Sequence, residues 1–237
     1  MTEFQDKVVL VLGAGSGLGR AVVRAFAGLG AIVAANDLNP LGLDETVSVL
    51  EPSSRTADYV YDIAKKMPLQ ALVEHVLRDW ERIDVMVNAA AVRPRAAILD
   101  MDEWDWRRTL DFNLGGCFFA MQLVGRVMQA QGGGAIVNVV SPPDENVNQA
   151  AFAASQAGAA SLTQFAGREL APFGIRVNAV FLGTTSDETG DRMSALDSES
   201  YSKLQKWQDY PPAVAWVLHL ASSQAQVFGQ MVSVEDD

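Results

Sequence analysis

The pattern of residues 8–37 predicts a strand, a glycine-rich turn, a helix and a second strand that ends on an acid. This order restricts the possible folds more than any other feature of the chain. The apolar run over residues 8–12 predicts a buried strand, and a helical pattern that begins near Leu18 is followed by a second apolar run over residues 32–35. The turn between the first strand and the helix carries the glycines Gly13, Gly15, Gly17 and Gly19. Together these features predict a βαβ unit of the kind that binds dinucleotides.

The glycine turn and the closing acid give this unit its predicted chemistry. Glycine lets the backbone come close to a pyrophosphate, and the first turn of the helix offers unpaired N–H groups and a positive dipole end. Asp37 follows the second strand, roughly 20 residues after the turn, where a carboxylate accepts hydrogen bonds from the adenosine ribose hydroxyls. The same carboxylate would repel a 2′-phosphate, so we expect NAD or NADH to be preferred over NADP.

Composition and charge exclude several classes of protein. The 237 residues, 49% of them hydrophobic, suffice for one large core, and we expect a single domain over residues 1–237. A net charge of -11 disfavours nucleic acid and anionic membranes as partners. The one cysteine, Cys117, lies in an apolar helical context, which predicts a buried, inert thiol in a reducing compartment. With no leader pattern and no apolar run of membrane-spanning length, we expect a cytoplasmic protein.

Strand and helix patterns alternate along the rest of the chain. They predict further strands over residues 55–62, 83–87, 135–140, 175–181 and 230–234, and helices over residues 43–50, 67–80, 104–130, 150–171 and 211–221. This alternation is typical of a Rossmann-type, doubly wound parallel sheet with helices on both faces, a three-layer sandwich. The long polar stretch over residues 183–210 lacks a strong pattern, and we interpret it as a lid or binding loop.

Polar residues at the ends of the predicted strands mark a candidate site. Asp62 closes the third strand and is either an acid near the adenine ring or a helix N-cap, while Asn88 and Ser141 close the next two. Asn113 lies beside two glycines in the middle of a predicted long helix, where all three are poor helix formers. We expect a bulge there that turns a carbonyl group toward the site. His75 is expected to be structural or solvent-facing.

These features together resemble the short-chain dehydrogenase/reductase family over almost the whole chain. The match includes the glycine turn, the two acids, Asn88, Asn113, Ser141 and the segment GIRVNAVFLG. The resemblance implies an oxidoreductase that takes a nicotinamide dinucleotide and a small carbonyl or secondary-alcohol substrate, with Ser141 and Asn113 at the substrate oxygen and no metal. The cofactor contacts that it implies are Gly13, Ser16, Gly17, Leu18, Gly19, Asp37, Leu38, Asp62, Ile63, Asn88, Ala89, Ala90, Gly183 and Thr185.

The chain departs from the family pattern where proton transfer would occur. Alignment on FAASQAGAASL puts Phe152 at the position of the family's proton-donating tyrosine and Gln156 at the position of the lysine that lowers the tyrosine's pKa. A phenyl ring donates no proton at any pH, and loss of a positioned general acid costs about 10² to 10⁴ in rate. In addition, Pro142 follows Ser141 directly. The resemblance implies that the loop after Ser141 is about two residues shorter than in typical members of the family. Cofactor binding should tolerate these changes better than catalysis.

The sequence leaves three functions open. The first is an inactive or weakened family member that binds NAD(H) as a sensor, scaffold or partner subunit. The second is an active oxidoreductase that uses Ser141 and Asn113 with Asp144 or Glu145 as a rewired proton donor through water. A third reading is a different reaction on the same scaffold, such as lyase or dehydratase chemistry, or another adenosine cofactor. The small residues of the helix over residues 150–171 also predict close packing against a second subunit, as a homodimer or homotetramer.

Overall fold

The computed structural model describes residues 3–143, 148–183 and 211–234, and its strands form one parallel sheet. The strands of this sheet are β1 Val8–Leu12, β2 Ile32–Asn36, β3 Arg55–Tyr59, β4 Val85–Asn88, β5 Gly134–Val140, β6 Ile175–Leu182 and β7 Met231–Val234. Their order is β3-β2-β1-β4-β5-β6-β7, and every neighbouring pair is parallel. The central strand β1 is buried along its whole length because helices cover both of its faces.

Helices pack on both faces of the sheet, and each face has its own apolar core. The helices are α1 Gly17–Gly28, α2 Pro40–Val47, α3 Lys66–Trp80, α4 Glu103–Leu110, α5 Gly116–Gln131, α6 Ala150–Leu170 and α7 Pro212–Ala221. One core joins the sheet to α1 and α7, and the other joins it to α3, α5 and α6. The expected Rossmann-type sandwich of three layers is therefore confirmed.

Several element boundaries differ from the sequence prediction, and at three of them a side chain takes over a backbone group. Strand β3 stops at Tyr59, since the N–H of Tyr61 donates to the Asn36 side chain at 3.1 Å. Strand β4 starts later than predicted because the Gln131 amide binds both the N–H and the C=O of Ile83, each at 3.0 Å. Helix α2 starts earlier than predicted because Asn39 caps it and a proline follows in the first turn.

The predicted bulge is present as a π-helical turn over Asp111–Gly115, with Asn113 at its centre. The long helix predicted over residues 104–130 is accordingly α4, the π-helical turn and α5 in continuous sequence. A π-helical turn rotates the side chains that follow it and is frequent at functional sites. None of the helices in the described ranges is long and apolar enough to cross a membrane.

The strand order reverses direction at β1, which pairs with β2 on one side and with β4 on the other. A crevice forms at such a switch point because the connections from adjacent strands leave in opposite directions. The chain segments that follow β1 and β4 meet here, with the N–H of Ala89 donating to the C=O of Leu12 at 2.9 Å. The topology therefore places the glycine turn beside the segment that follows β4.

Candidate functional site

The glycine turn is pressed against the segment that follows β4. Gly13 has a φ of +82°, and a Cβ added to it would lie 2.6 Å from the backbone nitrogen of Ala90. A Cβ on Gly19 would lie 1.9 Å from the carbonyl oxygen of Gly13, so helix α1 packs directly on the turn. Both positions exclude any side chain. They bring the N-terminus of α1 to the crevice, and Leu18 in its first turn packs against one of the cores.

The N-terminus of α1 is open in the way that a phosphate group needs. Gly17 has a φ of +49°, and a Cβ on it would meet no atom of the described residues within 4 Å. Ser16 is the N-cap residue, but among the described residues no side-chain hydrogen bond caps the helix. The N–H groups of the first turn thus remain available, together with the positive end of the helix dipole. These features fit the pyrophosphate of a dinucleotide.

Asp37 lies at the edge of a cavity of about 290 Å³ that begins beside this turn. Its carboxylate accepts hydrogen bonds from the N–H of Gly15 and the N–H of Asn39, both at 2.9 Å, which fix its orientation. The cavity brings together seven of the residues predicted to contact a cofactor, namely Gly13, Ser16, Asp37, Leu38, Ile63, Ala89 and Ala90. Its volume is close to the lower end of the range for small-molecule sites, about 300–1,000 Å³.

Asp62 is not the N-cap of helix α3, one of the two roles that the sequence suggested, and it forms an ion pair instead. Its carboxylate forms an ion pair with Arg108, with both oxygens 3.2 Å from the same guanidinium nitrogen, and also accepts from the N–H of Ala64. Helix α3 is capped by Lys65 rather than by Asp62, and Asp62 is not among the residues that line the cavity beside Asp37. The acid is correctly located near the strand end, but a cation from α4, which the sequence pattern did not connect to it, engages it.

Asn88 is buried at the end of β4, where its side-chain oxygen accepts from the N–H of Ala90 at 3.4 Å. Its side chain also tends to lower the pKa of the Cys117 thiol on α5. Burial nevertheless raises the pKa of the Cys117 thiol to about 12, because a thiolate would lose its hydration there. Cys117 is therefore buried, as its apolar context predicts, and its raised pKa disfavours the reactive thiolate.

Asn113 uses its side chain to hold the segment that follows β4. Its oxygen accepts from the N–H of Val92 at 2.8 Å, and its nitrogen donates to the C=O of Val92 at 2.9 Å and to the hydroxyl of Ser155 at 3.0 Å. The side chain is buried, and all three of these hydrogen bonds are made within the chain itself. Asn113 thus positions neighbouring segments through its side chain, while the π-helical turn sets the direction of its backbone.

Ser141, Phe152 and Gln156 come together where β5 meets the first turns of α6. The N–H of Ser141 donates to the side-chain oxygen of Gln156 at 2.9 Å, and Gln156 is buried. Phe152 is only 1% exposed, and the hydroxyl of Ser155 donates to its carbonyl oxygen at 2.7 Å. Phe152 and Gln156 are therefore both incorporated into the packing of this end of the sheet.

Two further residues complete the surroundings. Sequence reasoning missed Arg93, whose guanidinium carbon lies 4.0 Å from the centre of the Phe152 ring. The only available signal was a cation five residues beyond the end of β4, at the carboxyl edge of the sheet. His75 contacts Tyr61, a residue of the cavity wall, with 2.5 Å between Nδ1 and the phenol oxygen, so it is structural as expected.

The remaining predicted site residues follow β5 or β6 in the sequence. Gly183 adopts a φ of +135°, and a Cβ on it would lie 2.8 Å from Pro142. Thr185, the rest of the predicted lid over residues 183–210 and the acids Asp144 and Glu145 lie outside the described residues. Within the described ranges, no group of three or more His, Cys, Asp or Glu side chains is placed to hold a metal ion.

The fold and the crevice define a doubly wound α/β protein with a cavity at the switch point of its sheet, where such proteins bind ligands. The family model described as short chain dehydrogenase matches residues 7–197, and the chain belongs to this family. It is 34% identical over 240 aligned positions to a 3-oxoacyl-acyl-carrier-protein reductase of Thermotoga maritima, covering 98% of each chain. It is also 37% identical to the human (3R)-3-hydroxyacyl-CoA dehydrogenase, covering 76% of this chain and 74% of that protein.

A solved structure extends the likeness to the whole fold. A Burkholderia xenovorans protein assigned to the short-chain dehydrogenases/reductases superposes with a TM-score of 0.83 at 28% identity, covering 99% of this chain and 97% of that one. Members of this family use nicotinamide dinucleotide cofactors, and the crevice described above is where such a cofactor binds in a doubly wound sheet.

Proposed function

We propose that this chain is an NAD(H)-binding member of its family whose carbonyl-reducing activity is absent or strongly impaired. The observation that carries the proposal is the pair Phe152 and Gln156 on α6, at the positions of the family's tyrosine and lysine. The Phe152 ring cannot donate a proton. Gln156 carries no charge, and its side-chain oxygen accepts a hydrogen bond from the N–H of Ser141. The chain therefore lacks the general acid and the cation that would lower the pKa of such an acid.

The cofactor half of the site supports the binding part of the proposal. A nicotinamide dinucleotide, when bound, supplies or accepts a hydride. We expect the open first turn of α1 to bind the pyrophosphate and the Asp37 carboxylate to accept hydrogen bonds from the adenosine ribose. The N–H donors of Gly15 and Asn39 hold this carboxylate in one orientation, and its charge opposes a 2′-phosphate. The expected preference is for NADH over NADPH.

The surface of α5 and α6 supports assembly of a homodimer or homotetramer. Three phenylalanines on or next to these helices are 42%, 63% and 43% exposed, namely Phe118, Phe165 and Phe173. They line a shared groove of about 340 Å³ between the two helices, so a second copy of the same face would bury them. A single buried cysteine also fits a reducing, cytoplasmic location.

A calorimetric titration with NADH and NADPH, together with turnover on a panel of ketones and secondary alcohols, tests this function. We expect NADH to bind more tightly than NADPH and turnover to stay at background. Turnover that a Ser141→Ala change abolishes would contradict the proposal and favour the alternative of an active enzyme. The named activities of the relatives, a reductase and a dehydrogenase, are the reason to take that alternative seriously. Asp144→Asn and Glu145→Gln would then test the rewired proton donors.

A further inference from the structure

Arg93 covers one face of the Phe152 ring. The guanidinium carbon lies 4.0 Å from the centre of the ring, which is within the range of a cation–π contact. Phe152 is buried, whereas Arg93 is exposed, so the guanidinium forms the outer surface of this contact. A guanidinium stacked on a ring keeps its N–H donors directed outward in its own plane. Its edges therefore remain available to a ligand.

The backbone around Arg93 is fixed on both sides. The Asn113 side chain binds the N–H and C=O of Val92, the residue immediately before it. Three residues after Arg93, the N–H of Ala96 donates to the C=O of Asn148 at 3.0 Å, just ahead of α6. The same Asn113 amide also donates to Ser155, whose hydroxyl binds the carbonyl oxygen of Phe152. One network thus positions both the cation and the ring beneath it.

The charge of Arg93 is not neutralised by any described carboxylate. Two arginines of the nearby helix α4 differ in this respect, since Arg107 pairs with Glu103 at 2.6 Å and Arg108 pairs with Asp62 at 3.2 Å. Among the described residues, Arg93 has the Phe152 ring as its one recorded interaction. In a chain with a net charge of -11, a positioned cation without a carboxylate partner is well suited to an external anion.

We propose that Arg93 determines ligand specificity by binding an oxyanion, a carboxylate or phosphate group, of a small acidic molecule at its exposed guanidinium over Phe152. The guanidinium would hold two oxygens of the anion at once, while the Phe152 ring keeps it in place from below. This inference rests on the proposed function, because that function places the substrate beside Phe152. It adds that charge, rather than proton donation, selects the ligand there.

The test is a calorimetric titration of the full-length protein, saturated with NADH and held at fixed ionic strength, with malonate and with its uncharged analogue malonamide. We expect malonate to bind and malonamide not to bind. Arg93→Gln should weaken malonate binding by about tenfold or more, and Arg93→Lys by less, because lysine keeps the charge but loses the paired donors. Arg95→Gln, which removes the same charge two residues away, serves as the matched control and should leave the affinity within about twofold.

Inorganic phosphate is the second probe and identifies the group that is recognised. Arg93-dependent binding that is tighter for phosphate assigns a phosphate group, and tighter binding of malonate assigns a carboxylate; either result supports the proposal. Equal malonate affinity in the unmodified protein and in Arg93→Gln overturns it. So does an equal loss in Arg95→Gln, or a weakening of NADH binding by Arg93→Gln with malonate binding intact.

Failure of the proposed function is separately visible. If NADH does not bind, or if carbonyl substrates turn over, the function proposed above is wrong. Malonate binding to the cofactor-free protein that depends on Arg93 would still support the anion site.

Discussion

The side-chain oxygen of Gln156 accepts a hydrogen bond from the backbone N–H of Ser141 across 2.9 Å. This bond ties the carboxyl end of β5 to the second turn of α6. The neutral amide of Gln156 thus has a structural role at the position where the family resemblance implies a lysine. Any attempt to restore the family's chemistry therefore also changes how Ser141 is held.

Introducing the tyrosine and the lysine that the family resemblance implies should create carbonyl-reducing activity. We expect Phe152→Tyr combined with Gln156→Lys to raise carbonyl reduction by about 10²-fold over the unmodified chain, since a tyrosine beside a cation is a usable general acid. Initial rates of NADH oxidation with a panel of ketones measure this. Phe152→Tyr with Gln156→Met is the matched control, because it also removes the acceptor for the Ser141 N–H but adds no cation. A folded, NADH-binding double variant without any gain would mean that Ser141 is not placed for this role.

Replacement of Asp37 should change which dinucleotide binds. In Asp37→Ser we expect NADH affinity to fall by about tenfold, because hydrogen bonds to a charged acceptor are lost, and NADPH affinity to rise. Calorimetric titration with both cofactors measures the ratio of the two affinities. Asp58→Ser on the neighbouring strand removes the same charge from an exposed position and should leave the ratio unchanged. An unchanged ratio in Asp37→Ser would rule out Asp37 as the discriminating residue.

Two glycines of helix α1 should respond to alanine in opposite ways. Gly19→Ala forces a methyl group against the carbonyl oxygen of Gly13, and we expect it to lower the free energy of unfolding by about 1–3 kcal/mol. Gly28→Ala meets no described atom within 4 Å and should raise stability by up to about 1 kcal/mol. Urea unfolding of the two variants provides the comparison. Equal effects would show that close packing of the turn does not limit residue 19.

The buried amide of Asn113 should be important for stability. Asn113→Ala leaves the N–H and C=O of Val92 without their partner, and we expect a loss of about 2–4 kcal/mol in the free energy of unfolding. Gln70→Ala removes an amide from an exposed helix position and should cost less than about 0.5 kcal/mol. Chemical denaturation measures both. A loss as small as that of Gln70→Ala would contradict the structural role given to Asn113.

Cys117 should be protected from thiol reagents until the protein unfolds. Its pKa is raised by burial from 9.0 to about 12, so the unfolded thiol ionises at lower pH than the folded one. The stability linked to this group is therefore complete below about pH 9 and is lost as the pH rises toward 12; Tyr59, with its pKa raised from 10.0 to about 12, acts in the same direction. Labelling with a thiol reagent at pH 8 checks the protection. Rapid labelling of the folded chain would show that the thiol is accessible.

The order of strands and helices was readable from the sequence because each element depends on local patterns. The buried run of β1, the glycine turn and the apolar stripe of α3 each carry a periodicity that only one type of element satisfies. The boundaries that were missed depend on distant partners. The Gln131 side chain, 48 residues away in the sequence, binds the N–H and C=O of Ile83 that strand pairing would otherwise use. No local pattern predicts this contact.

The residue types of the candidate site were likewise determined by the sequence alone: the glycines, Asp37, Phe152 and Gln156. Only the tertiary structure decided which of them act together. In the folded chain Asp62 pairs with Arg108, and the Asn113 side chain accepts a hydrogen bond from the N–H of Val92. The Arg93 guanidinium lies over the ring of Phe152. The physical reason is that hydrogen bonds and ion pairs depend on distances of a few ångströms between atoms, and chain folding brings those atoms together from positions that are far apart in sequence.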